Sequence, residues 1–323
     1  MNNNMLVLAI AAVMSSRVIA LSTQIPNQFP ASTRQALLQK AQDLGQTQGC
    51  YSAVGWSNRL GSVLTPAAPS IFTADRPFFW NKIDVGCRMT VIELPVEGSS
   101  TPDLWVHSPV FLDGPLQDLL QKIGTVRYVV SPNYEHVKFA AQWAIAYPGA
   151  EMWACPGMMS QEPETRWTKE IPNGARCEEL WPGIQALHSN CEVNPFTGKP
   201  FFNEVVFYNT LSKTLLTTDL YWNYPAFDGV TNSNLESIGA AGPWELAPSV
   251  DSIPLGSKIW KMGMDQVYRP FFKNLMVKDK EAYQQIVDTI LLKWDVETLI
   301  PAHGDLIRGK EVIKQVLKNH FGE

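Results

Sequence analysis

Three apolar runs in this chain each end on a residue able to bind a metal ion. Pro301-Ala302-His303-Gly304-Asp305 follows the strand-type run Glu297 to Ile300. Thr217-Thr218-Asp219-Leu220 closes a second apolar run. Ser131-Pro132-Asn133-Tyr134-Glu135-His136 follows a third, Val126 to Val130. Imidazole nitrogen and carboxylate oxygen suit zinc, iron or manganese. Loops that follow strand ends are good platforms, because their side chains converge at one edge of a sheet. The candidate ligands are therefore Glu135, His136, Asp219 and His303. Glu135 can serve as a ligand or as a general base. Taken singly, each has an ordinary reading. His136 can pack on a following helix, Asp219 can end a turn, and Glu135 can favour a helix start through the dipole. His303 is more specific, since a strand-end His-Gly is a poor way to build a core.

The other histidines carry less. His107 follows a strand and reads as a group behind the site or as a surface or core histidine. His188 lies near Cys191 in an irregular segment, and His320 reads as solvent-exposed. The chain holds no Gly-x-Ser-x-Gly elbow, no phosphate-cradling glycine loop and no Gly-x-Gly-x-x-Gly fingerprint. Serine hydrolase and nucleotide-binding chemistry therefore have no support.

The elements that must hold these residues are legible from Cys87 onward. Met89 to Leu94 and Leu104 to His107 read as paired strands around a Gly-Ser-Pro connection. A short helix runs to Ile123 with Leu116, Leu119, Leu120 and Ile123 on one face, ended by Gly124. The strand Val126 to Val130, a helix to about Ala146 and the strand Glu151 to Ala154 make a βαβ crossover. Residues 156–200 read as loop. Glu204 to Tyr208 and Thr214 to Thr218 form a hairpin. Residues 223–254 show few regular signals and read as surface cover. Lys280 to Trp294 carries apolar residues at helical spacing, as does Lys310 to Phe321. The order predicts a layered α/β domain.

Bulk properties bound the function. The chain has 323 residues, of which 45% are hydrophobic and eleven are tryptophan, enough for a sizeable core. A net charge of -5 argues against nucleic-acid binding. No apolar run reaches the roughly 20 residues of a spanning helix, so the mature chain reads as lacking an integral membrane segment. Met5 to Met14 is an uncharged run of signal-peptide length, and Leu21 to Ala41 is basic, hydroxylated and free of acids, as in transit peptides. The pair predicts a bipartite signal into a plastid, with secretion as the alternative. Five cysteines without C-x-x-C spacing argue against a disulfide scaffold or a zinc-cysteine site. The absence of an Asn-x-Ser/Thr sequon tilts the reading toward an organelle. The chain divides into a targeting segment and linker (1–45), an irregular extension (46–85) and a main domain (86–323).

These motifs in this order resemble the metallo-β-lactamase superfamily, and within it a divergent family, domain of unknown function 4336. The residues that carry the resemblance are Asp84-Val85-Gly86-Cys87-Arg88-Met89-Thr90-Val91, Leu104 to Pro109, Ser131-Pro132-Asn133, Trp143 to Gly149, and Pro301 to Asp305. The resemblance implies a four-layer αββα sandwich. The superfamily pattern His-x-His-x-Asp-His is matched here by Ser131-x-Asn133-x-Glu135-His136. Its middle histidine would fall near Pro200 and is absent. Its bridging aspartate is similar to Asp219 and its final histidine to His303. The resemblance thus implies that one of two metal positions has lost its ligands, while the other keeps Glu135, His136, Asp219 and His303. The expected protein binds at most one divalent metal, zinc or iron, and acts as a hydrolase on a small molecule by activating water. A mononuclear non-haem iron oxidoreductase and a metal-free pseudoenzyme or binding protein are the alternatives. The substrate and the oligomeric state are left open by the sequence.

Overall fold

The computed structural model of the protein describes Ser57 and residues 63–80, 82–224 and 253–323. The targeting reading of residues 1–45 and most of the surface-cover reading of 223–254 lie outside these residues.

Two mixed sheets form the frame. The first has seven strands, in chain order β1 (Thr65–Ala68), β2 (Ile71–Arg76), β5 (Cys87–Leu94), β6 (Asp103–His107), β7 (Thr125–Ser131), β8 (Glu151–Ala154) and β9 (Lys169–Glu170), and this is also their spatial order. A separate two-stranded ribbon, β3 (Phe79–Trp80) and β4 (Ile83–Asp84), precedes β5. The second sheet has six strands, ordered β10 (Arg176–Trp181), β11 (Ile184–His188), β12 (Val205–Asn209), β13 (Thr214–Thr217), β14 (Thr298–Pro301) and β15 (Ile307–Arg308). Three helices accompany the first sheet in sequence, α1 (Gly114–Ile123), α2 (Ala140–Ala146) and the single turn α3 (Met158–Gln161). Three more follow the gap in description, α4 (Leu255–Gly263), α5 (Lys280–Asp288) and α6 (Lys310–Phe321). Wide π-type turns, joined by the α-helical turn Arg269–Phe271, continue α4 at Met264–Tyr268 and Phe272–Met276, and another continues α5 at Thr289–Lys293.

Side-chain alternation along the strands assigns the layers, because successive residues of a strand face opposite sides. Leu104, Val106, Val129 and Met152 pack outward against Leu116, Leu120 and Trp143 of α1 and α2. Trp105, Val130 and Trp153 face inward, into the cluster that holds Ala186, Val205, Phe207, Leu216 and Ile300 of the second sheet. On its far side the second sheet presents Val206, Tyr208, Leu215 and Leu299 to Ile286, Ile290, Ile313 and Leu317 of the last helices. The result is helix, sheet, sheet, helix: a four-layer αββα sandwich. Every residue of β12 and β13 is buried, as expected of strands covered on both faces.

The capping signals hold where the sequence shows them. The Asp113 side chain accepts from Leu116 N at the start of α1, and Gly124 ends the helix. A Cβ on Gly124 would stand 2.6 Å from the Pro102 carbonyl oxygen, so glycine is required there by close approach. Two expectations need correction. The stretch read as an irregular extension supplies β1 and β2, which pair with β5 inside the first sheet. The stretch read as loop from 156 to 200 supplies β10 and β11, an antiparallel pair at the edge of the second sheet. Among the described residues, no helix is long and apolar enough to cross a membrane.

Candidate metal centre

The strand ends named above meet at one edge of the sandwich. β13 and β14 run parallel, with Thr217 opposite Pro301. Asp219 and His303 therefore leave adjacent strands in the same direction, each two residues past the last strand residue. His136 arrives from the first sheet, on the loop after β7. The two sheets are clamped here by Arg88, at the start of β5. Its backbone N–H donates to Ala302 O at 2.7 Å, and its Nη1 donates to Pro301 O at 2.8 Å and Gly304 O at 2.6 Å.

His136, Asp219 and His303 each offer one donor atom, and these atoms lie within 4.8 Å of one another. The Nε2 atoms of the two imidazoles are 3.2 Å apart. Asp219 Oδ2 lies 3.3 Å from His136 Nε2, and Asp219 Oδ1 lies 3.5 Å from His303 Nε2. All three side chains are at most 10% exposed. Glu135 stands outside this set. It neighbours His136 in sequence but is itself exposed, and its carboxylate is not among the donor atoms that converge. The structure thus groups three of the four sequence candidates.

Each of the three has its own orienting partner. His303 Nδ1 lies 2.7 Å from the Gly86 carbonyl oxygen. A carbonyl only accepts, so Nδ1 carries the hydrogen and the neutral ring presents a bare Nε2 to the cluster. His136 Nδ1 contacts Ser108 Oγ at 2.7 Å and Cys87 Sγ at 3.8 Å. Ser108 holds a positive φ of 54°, a conformation costly for a residue with a Cβ. Asn133 donates from Nδ2 to Asp219 Oδ2 at 2.6 Å and to Thr218 Oγ1 at 3.0 Å. Its Oδ1 accepts from the backbone N–H groups of Glu135 and His136 at 3.1 and 2.9 Å. One buried amide therefore ties the His136 loop to the Asp219 loop.

The donor set fits a cation. With His303 Nε2 bare, His136 Nε2 at 3.2 Å must either donate a hydrogen to it or share a cation with it. A proton serves the first, a metal ion the second. Burial resists charging of His136, but the Cys87 sulfur and the Asp219 carboxylate outweigh it and hold its pKa well above the ordinary histidine value. Burial likewise opposes ionisation of Asp219, yet the two imidazoles overcome it and hold the carboxyl below the usual range. Glu204, just behind the loop, is pushed by burial and by the Asp219 charge to about 7, with backbone amides pulling the other way.

The signs give a testable profile for the protein kept free of metal by a chelator. His136 has a raised folded-state pKa, so its contribution is present below the unfolded value of about 6.5 and is lost as pH rises through the folded one. A raised carboxyl such as Glu204 also costs stability as pH rises, from about 4.3 upward. The buried histidines His107, His188 and His320, held neutral by burial, gain stability as pH rises toward about 6.5, so the readout is the difference in unfolding free energy between wild type and His136→Gln with chelator, which should shrink from about pH 6.5 to pH 8. A difference that stays flat or grows over that interval would contradict the proton-holding cluster.

The remaining histidines take structural places. His107 is buried, stacked on Trp105 at 5.8 Å and edge-on to Phe207 at 5.5 Å, which is the core reading. His188 accepts from Gly174 N and contacts Asn203 Oδ1 at 2.9 Å rather than Cys191. His320 corrects the solvent-exposed expectation: it is buried and its Nε2 donates to Leu220 O at 3.0 Å. Its spacing from Ile313, Val316 and Leu317 puts it on the apolar face of α6, a signal present in the sequence. Gly86, Ser108 and Glu204 support the site without a sequence signal of their own, since their roles depend on partners far along the chain.

Residues 69–228 match the family model described as Domain of unknown function (DUF4336). That segment is a DUF4336 domain. No curated protein matches the sequence. Among solved structures, the chain is similar to a metallo-β-lactamase from Hirschia baltica, at 11% identity and a TM-score of 0.46, covering 80% of this chain and 96% of that one. It is similar to the mono-zinc form of the metallo-β-lactamase FIM-1 from Pseudomonas aeruginosa, at 11% identity and a TM-score of 0.45, covering 80% and 93%. It is also similar to a fragment of putative diflavin flavoprotein A 5 from Nostoc sp., at 12% identity and a TM-score of 0.49, covering 80% and 98%.

Proposed function

We propose that the protein is a metal-dependent hydrolase of a small molecule, with one divalent ion held by His136, Asp219 and His303. The convergence of those three donor atoms within 4.8 Å, from three separate strand ends, carries the reading. Three protein ligands with further positions open is the pattern of catalytic rather than structural zinc sites. An ion bound there would act as a Lewis acid and lower the pKa of a water it carries.

The chain's own residues supply the rest. Gly86 O and Ser108 Oγ fix the two rings, as outer partners of metal-bound histidines generally do. Glu135, exposed beside His136, is the base in this reading. Partial desolvation and then the Asp219 charge raise its pKa, which suits proton exchange with solvent nearer neutral pH. The count of one ion is supported by Asn133. It stands, with Ser131, where the resembled pattern has its first two histidines, and its amide nitrogen donates to Asp219 Oδ2 at 2.6 Å instead of offering a lone pair to a second cation.

Two histidines and one carboxylate are also the donor set of non-haem iron oxygenases, which keeps mononuclear iron oxidoreduction as a second reading. An assay of the zinc-loaded and iron-loaded full chain on a panel of esters and thioesters separates them. Hydrolysis that is lost with chelator and regained with zinc is expected. Oxygen consumption by the iron form without zinc-dependent hydrolysis would replace the first reading with the second. Hydrolysis that survives both chelation and Asp219→Ala would defeat both.

A further inference from the structure

We infer that Glu204 is a positioning residue that sets where the Asp219 carboxylate stands. The inference rests on the reading of Asp219 as a metal ligand. Glu204 is 2% exposed and immediately precedes β12, a strand away from the loop it serves. Its Oε1 accepts from Thr218 N at 2.7 Å. Its Oε2 accepts from Asp219 N and Leu220 N, each at 2.7 Å. Three successive backbone N–H groups thus converge on one carboxylate. Such consecutive amides form a concavity suited to an anion, and here the anion is an internal side chain. The short distances fit charge-assisted hydrogen bonds, which are stronger than neutral ones.

The consequence is geometric. β13 ends at Thr217, and beyond it no strand partner holds the chain in place. Glu204 replaces that partner for residues 218 to 220. From the opposite side His320 Nε2 donates to Leu220 O at 3.0 Å, and Thr217 Oγ1 donates to Tyr221 O at 3.2 Å. The backbone of Asp219 is therefore pinned before its side chain meets His136 and His303. A buried carboxylate close to the buried Asp219 is electrostatically unfavourable by itself. A site built to receive positive charge offsets both acids, which explains why a glutamate rather than a neutral acceptor is tolerated. Glutamine could not replace it, because its NH2 group would face an N–H donor.

Full-length wild type, Glu204→Gln and Glu204→Asp should be compared by zinc competition against a chromophoric chelator, by the Co(II) absorption spectrum, and by amide hydrogen exchange of the metal-free proteins. Glu204→Gln is expected to fold, to bind zinc about 10- to 100-fold more weakly, the usual loss on removing an outer partner, and to shift the Co(II) bands. Exchange at Thr218, Asp219 and Leu220 is expected to quicken while β12 and β13 stay protected. Glu204→Asp, which keeps the charge, should fall between wild type and Glu204→Gln, and it carries the test if Glu204→Gln does not fold. Wild-type zinc affinity and an unchanged Co(II) spectrum in a folded variant would reduce Glu204 to a structural role. If wild type itself takes up neither zinc nor Co(II), the metal reading fails, and the exchange data alone decide: unchanged exchange at residues 218 to 220 would then overturn the Glu204 inference as well.

Discussion

Gly304→Ala is expected to destabilise the protein by about 4 kcal/mol or more, among the largest effects of any single substitution. Gly304 has φ of +88°, where a side chain is strained whatever the space. Space is also missing. A Cβ there would lie 2.1 Å from the Asn223 carbonyl oxygen and 2.6 Å from Tyr224 N, which are backbone atoms that cannot swing aside. The same stretch is stitched by Asn223 N donating to His303 O at 2.9 Å and Asp305 N donating to Asn223 O at 2.8 Å. Arg88 reaches Gly304 O from the other sheet. Positive-φ strain contributes about 1 to 3 kcal/mol, and separating the two backbones breaks hydrogen bonds worth about 1 kcal/mol each. Urea unfolding measures the sum. A folded Gly304→Ala protein within 1 kcal/mol of wild type would show that the close approach is not a feature of the native state. Because Gly304 follows His303 directly, any relaxation that admits the methyl group must also move the imidazole.

His303→Ala is the second large effect, and it falls on binding rather than on folding. His303 is held at Nδ1 by Gly86 O and presents Nε2 to the cluster. Its removal leaves two donors where three converge, and leaves Asp219 Oδ1 without its imidazole partner. Removing an outer partner of a metal ligand costs about 10- to 100-fold in affinity. Deleting a ligand outright should exceed that range, so bound metal should be lost on gel filtration. Stability should change less than in Gly304→Ala, because the lost bond to Gly86 O is offset in part by relief of the 3.2 Å approach to His136.

The sequence made this site partly legible. His136, Asp219 and His303 are visible because each is a ligand-type residue shortly past an apolar strand, and strand ends on one sheet edge converge. The same logic could not exclude Glu135. Neighbouring residues in a turn point in different directions, and spacing alone does not say which one faces the site. Asn133, absent from the ligand chemistry, turned out to join two loops through an amide that both donates and accepts. Glu204 and Gly86 were invisible, since what they bind is backbone from distant segments. In the fold, the hydrophobic strands β5 to β8 and β12 to β14 were readable by their apolar runs. β10 was missed because its sequence, Arg-Cys-Glu-Glu-Leu-Trp, sits at a sheet edge and keeps most of its side chains out of the core. β1 was missed because Pro66 and two alanines make a weak strand signal that only pairing with β2 completes.

The central claim is one ion on three ligands, and elemental mass spectrometry of the purified full chain tests it most directly, run beside His303→Ala. About one zinc or iron per wild-type chain and almost none in the variant is the predicted result. Two ions per wild-type chain would contradict the role given to Asn133. No metal in the wild type, even after reconstitution with zinc and with iron, would contradict the account as a whole and leave a proton-bridged cluster in a metal-free binding protein.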